Sequence, residues 1–147
     1  MDSRINPHWV DAFDAVFQLC AVAPTETAVI LSEQGSRASL LQCAELALHR
    51  LQVPYCHLQL ATPKPHALAP VRSTGASTAI AGNPAVLGAL CKAQFIVDLT
   101  VEGLQHAAEL PQILQSGARV LVVSNEHPEI LCRTMPTAEL EQSTRAA

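Results

Sequence analysis

Four short apolar runs, each divided from the next by a stretch with helical periodicity, constrain this chain more than any other feature. They are residues 27–32 (TAVILS), 55–60 (YCHLQL), 95–99 (FIVDL) and 119–124 (RVLVVS). Runs of this length with few polar interruptions read as strands buried on both faces, which occur in parallel sheets. Parallel strands need crossovers, and the intervening segments carry them. After Asn6-Pro7, an N-cap oxygen followed by a proline with its φ already set, Val10, Phe13, Val16, Phe17 and Cys20 recur at helical spacing. Leu40, Leu41, Ala44, Leu48 and Leu51 form a second stripe, with Ser36 as the expected cap. Asn83-Pro84 opens a third helix, and a fourth over residues 109–116 is closed by Gly117 at C′. The last helix is predicted over residues 128–135, capped by Ser124 or Asn125. The fold class that results is α/β, a Rossmann-like three-layer sandwich with a mainly parallel sheet of about four strands. In the 55–60 run Tyr55, His57 and Gln59 alternate with Cys56, Leu58 and Leu60, which places it nearer the sheet edge.

Length and composition restrict the function. The 147 residues suffice for one domain, expected over residues 1–136, with residues 137–147 fraying for want of anything to bury. Aromatic residues make up 3% of the chain, so the core is expected to be aliphatic. A net charge of -4 without a basic cluster argues against nucleic acid as a partner. No apolar run approaches the roughly 18 residues that cross a bilayer, and the amino terminus lacks a signal core. No membrane association and a cytoplasmic location are therefore expected. The five cysteines are scattered without a Cys-x-x-Cys pair, as for reduced, buried thiols.

Ligands of an open parallel sheet bind at the carboxyl ends of the strands. That selects residues 32–36, 62–82, 100–108 and 124–127. The first, Ser-Glu-Gln-Gly-Ser, has one glycine, and Glu33 puts negative charge where a pyrophosphate would approach, so nucleotide binding is not expected. The second is long and rich in proline and glycine, as functional loops are, and carries His66. The third carries His106, whose imidazole could take and return a proton near neutral pH. A solvated loop histidine, or one bonded to the next helix start, explains the same spacing. Asp98 at the strand end is expected to anchor loop amides. The fourth, Asn125-Glu126-His127-Pro128-Glu129, looks like metal chemistry but reads better as a helix start, with Glu126 and Glu129 complementing the dipole. Cys56 and His57, adjacent in a strand, point to opposite faces and cannot share a metal.

Asp98, His106, Glu109, Gln112-Ile113-Leu114, Gly117, Arg119-Val120-Leu121, Glu126, Pro128-Glu129-Ile130-Leu131, Arg133 and Pro136 form an ordered set of landmarks. In these the chain resembles the N-terminal domain of the 2,5-dihydroxypyridine 5,6-dioxygenase family and the related aminopeptidase T-like (leucyl aminopeptidase) family. The resemblance implies an Fe(II)-dependent, ring-opening dioxygenase of nicotinate degradation acting on a small aromatic substrate. It also implies iron held by His, carboxylate and Ser ligands of a C-terminal domain. It makes His106 the loop histidine that exchanges a proton near the substrate, and Leu104 and Gln105 positions in the substrate wall. No residue of this chain matches the family's metal ligands. The C-terminal metal-binding domain is thus expected to be absent, Fe(II) is not expected to bind this chain alone, and the chain is expected to be inactive by itself. A homo-oligomer is expected. The alternatives are an aminopeptidase T-like metallopeptidase N-terminal domain, in which a metal activates water, and a non-catalytic α/β binding or assembly module.

Overall fold

A computed structural model of the chain describes residues 4–63 and 74–147. His66 lies outside the described residues. Ten elements follow one another: α1 (Pro7–Leu19), β1 (Ala28–Glu33), α2 (Ala38–Arg50), β2 (Tyr55–Leu60), α3 (Pro84–Lys92), β3 (Phe95–Asp98), α4 (Leu110–Gln115), β4 (Arg119–Val122), α5 (Pro128–Arg133) and α6 (Ala138–Ala146). The four strands form one all-parallel sheet in the order β2-β1-β3-β4. The α/β fold is therefore the one that the alternation of runs predicts.

Alternation along the two central strands divides the core. Ala28, Ile30, Phe95 and Val97 point to the side covered by α1, α2 and, through Leu131, α5. Val29, Leu31 and Ile96 point to the side covered by Val86 and Leu90 of α3 and Ile113 of α4. Every residue of β1 and of β3 is buried, whereas β2 is an edge strand and partly exposed. The core on the α1/α2 side is less aliphatic than composition predicts, because the chain's few phenylalanines gather there. Phe13 meets Phe17 edge-on at 5.9 Å and Phe17 meets Phe95 at 5.6 Å.

The Asn-Pro starts behave as expected: Asn6 Oδ1 accepts from the His8 amide and Asn83 Oδ1 from the Val86 amide. Gly117, with φ +95°, follows the C-cap of α4 in the left-handed conformation that glycine tolerates best.

Four local expectations are corrected. Ser36 does not cap α2; its hydroxyl donates to the Leu99 carbonyl, and Arg37 occupies the cap position without a side-chain bond. Neither Ser124 nor Asn125 caps α5, because His127 Nδ1 accepts from the Glu129 amide and takes that place. Of the five cysteines only Cys43 is buried, and Cys56, on the edge strand β2, is exposed. The residues expected to fray form α6. Thr137 Oγ1 caps it, Glu139 and Glu141 lie in its first turn, and Arg145 bonds Glu141 one turn earlier at 2.9 Å. Local capping and charge order favour this helix, which has no buried residue.

Candidate functional site

The strand order places β1 beside both β2 and β3, so the chain leaves the sheet in opposite directions at the carboxyl ends of β1 and β3. Open α/β sheets bind ligands at such a switch point. Here the segments that follow all four strands are tied to one another. Ser36 Oγ donates to the Leu99 carbonyl at 2.6 Å, joining the loop after β1 to the end of β3. Asn125 accepts from the Arg37 amide at 2.9 Å and donates to the Gly35 carbonyl at 3.3 Å, bringing in the loop after β4. The Gly35 amide donates to Thr62 Oγ1 at 2.8 Å, adding the segment after β2.

Asp98 roots the loop after β3, as its position at the strand end predicts. Its side chain is fully buried, Oδ1 accepts from the Thr100 amide and hydroxyl, and Oδ2 accepts from the Leu104 amide at 2.7 Å. Burial pushes its carboxyl above the usual range, against the pull of the Thr100 and Leu104 donors. Asp98 shapes the backbone from which His106 projects and has no free lone pair directed at solvent.

A short strip, residues 74–77, lies along this loop. The Gly75 amide donates to the Glu102 carbonyl at 2.8 Å, the Ser77 amide to the Gly103 carbonyl at 2.9 Å, and the His106 amide to the Gly75 carbonyl. Glu102 Oε2 also accepts from the Thr74 amide and hydroxyl, at 2.6 and 2.8 Å. Gly75 has φ +70°, and a Cβ there would stand 2.7 Å from Gln105 Oε1 and 3.1 Å from the His106 ring. The strip thus fits against His106 only because this position carries no side chain.

The three residues singled out in this loop part company. His106 and Gln105 are exposed, side by side on the outer surface of the loop. Leu104 is fully buried in the core on the α3/α4 side. Its side chain holds the loop down rather than walling a surface. What the loop offers chemically is an exposed imidazole with a fixed backbone, flanked by an exposed carboxamide. The described residues hold no group of three or more His, Cys, Asp or Glu side chains that could bind a metal ion, so they do not fit an iron site.

Two further features involve residues whose surroundings the sequence did not predict. Ser32 Oγ and His57 Nε2 are 2.6 Å apart across β1 and β2, with Ser32 buried. Glu33, the last residue of β1, is buried, and among the described residues both its carboxyl oxygens lack a hydrogen-bond partner. Periodicity could have placed Glu33 on the face of Val29 and Leu31, but its burial depends on the loops that close over it.

Comparison with known proteins bears on this geometry. The family model of NicX, 2,5-dihydroxypyridine 5,6-dioxygenase, matches residues 8–147. The chain belongs to the 2,5-dihydroxypyridine 5,6-dioxygenase family. A solved structure of 2,5-dihydroxypyridine dioxygenase from Pseudomonas putida KT2440 superposes with a TM-score of 0.78 at 30% identity, over 89% of this chain. This chain covers 38% of that one. No curated protein matches the chain. Neither match is to an aminopeptidase. Among the described residues no helix is long and apolar enough to cross a membrane.

Proposed function

We propose that this chain supplies the proton-exchanging loop of an Fe(II)-dependent dioxygenase that opens the ring of 2,5-dihydroxypyridine or a close hydroxylated pyridine. The observation that carries the reading is His106. It is exposed at the carboxyl edge of the sheet, and its backbone is held by Gly75 and by the loop that Asp98 roots. An imidazole so placed can take a proton from a ring hydroxyl and return it after the ring opens. Gln105, exposed beside it, is proposed to contact the substrate. Leu104, fully buried, contributes by fixing the loop from beneath.

The described residues supply no metal site, so the iron of such an enzyme is proposed to be held by protein outside them, as in the C-terminal domain that the family resemblance implies. The division of labour is then simple. The metal-bearing half would supply oxygen chemistry, and this half would supply substrate orientation and the proton path.

The test is a chimera in which this chain replaces the matching part of the Pseudomonas putida enzyme. With 2,5-dihydroxypyridine, Fe(II) and air, the chimera is expected to consume O2 in step with loss of substrate. His106→Ala in the same chimera is expected to lower kcat by about 10²–10⁴, the usual worth of a positioned acid–base group. Turnover unaffected by that substitution would remove His106 from the proton path. Release of leucine from a peptide amide without oxygen uptake would overturn the dioxygenase reading itself.

A further inference from the structure

Glu33 ends β1 with a carboxyl group that is 1% exposed and, among the described residues, has no hydrogen-bond partner at either oxygen. The groups that bear on it are the Val101 amide, the Thr62 hydroxyl and the carboxylates of Asp98 and Glu102. The first two favour the ionised carboxyl, against the effect of burial, without closing a hydrogen bond of full geometry. Among the described residues, Asp98 from the end of β3 and Glu102 from the following loop are the titratable groups that act on it, and both are acidic.

A carboxylate buried without a partner costs several kcal/mol, so the group escapes that cost by staying uncharged. Two further carboxyl groups close by act in the same direction. The loop that lies against Glu33 is the one that carries His106. Val101 contacts the 35–62 junction, since a Cβ on Gly35 would come within 3.2 Å of its side chain. Glu102 is the hub that receives Thr74 and Gly75, and Gly75 receives His106. Glu102 is thus joined to His106 by two successive backbone hydrogen bonds through Gly75.

We propose that Glu33 is a positioning residue for His106: uncharged, it lets residues 101–106 seat over the end of β1, and ionised, it lifts Val101 and Glu102 off that seat and withdraws the histidine. Its bearing on catalysis rests on the role given to His106 above, whereas the movement itself does not.

The movement is read in the 147-residue chain, without substrate or metal, as amide hydrogen-exchange protection at Gly75 and His106 against pH. Protection at both amides is expected to fall about tenfold as Glu33 ionises, while amides of Ile30 and Val97 in the core keep theirs. Glu33→Gln, uncharged at every pH, is expected to hold the protection flat, and Glu102→Gln to leave the transition in place at a lower pH. The carboxyl carbon resonance of Glu33 in unsubstituted chain supplies the same test without a variant, and should titrate together with the His106 amide. A flat profile in the unsubstituted chain, an unchanged transition in Glu33→Gln, or a Glu33 resonance that titrates apart from the His106 amide would each overturn the proposal. A positive result here with a proton-independent chimera would sink the role of His106 and leave the switch standing.

Discussion

The His106 amide donates to the Gly75 carbonyl, and the Gly75 amide donates to the Glu102 carbonyl, so one glycine holds both sides of the loop that presents the histidine. Gly75 can do so because its left-handed backbone and bare Cα let the strip lie flat against Gln105 and His106.

Gly75→Ala is therefore expected to disturb the site more than the fold. The added Cβ meets Gln105 Oε1, the end of a flexible side chain that can swing away. The contacts of 3.1 Å to His106 and 3.2 Å to the Gln105 Cβ have less room to give. With the left-handed backbone, the cost is roughly 1–2 kcal/mol. Hydrogen exchange should show lost protection at His106 and Gly75, with a smaller shift in the urea midpoint. Unchanged exchange at both amides would show that the strip does not hold the loop.

Asp98→Ala removes the acceptor of the Thr100 and Leu104 amides and of the Thr100 hydroxyl, all in a fully buried setting. Stranded buried donors cost about 1–3 kcal/mol each, partly recovered by rearrangement, so a loss of about 3 kcal/mol is expected in urea unfolding. Asp98→Asn should cost less, because its amide oxygen still serves Thr100 while its NH₂ faces the Leu104 amide. A pair of variants with equal stability would show that the loop does not depend on these bonds.

How much of this could be read from the residues follows the range of each interaction. Asn6-Pro7, Asn83-Pro84 and Gly117 act within one helical turn, and each does in the structure what its type implies. Asp98 was legible for the same reason, since its partners lie two and six residues ahead. Ser36 and Asn125 fit local caps equally well in sequence. They were drawn away by Leu99 and Arg37, which lie 63 and 88 residues distant in the chain. Leu104 and Gln105 are neighbours that sequence could not separate into a core residue and a surface residue, because their loop has no periodicity. The isolation of Glu33 depends on three loops closing together, and no local pattern encodes that.

His127 caps α5 with Nδ1 as the acceptor, while its ring meets Trp9 edge-on at 4.9 Å and the Trp9 indole donates to Glu129 at 2.9 Å. Replacing it with alanine removes cap and ring contact together, and about 1 kcal/mol of stability should go with them. His127→Asn restores an acceptor and is expected to recover part of that loss. Tryptophan fluorescence reports the local change directly, since the chain has one tryptophan. An alanine variant with unaltered emission and stability would remove His127 from the set of structural residues.

Burial and the nearby Asp98 and Glu102 carboxylates raise the Glu33 carboxyl above its ordinary value of 4.5. The folded chain therefore binds this proton more tightly than the unfolded chain does. Well below that ordinary value both states are protonated, and the group contributes no pH dependence. Above it the unfolded chain ionises first, so stability falls with rising pH until the folded carboxyl also ionises, and the full cost then remains. Asp98, raised in the same direction, adds to the slope. Glu33→Gln keeps the shape of the uncharged side chain and removes one of the two contributions. Urea unfolding should find the variant equal to the unsubstituted chain in acid and more stable at neutral pH, with a shallower decline between. A glutamine variant less stable than the original at neutral pH would mean that Glu33 is ionised and paired in the folded protein.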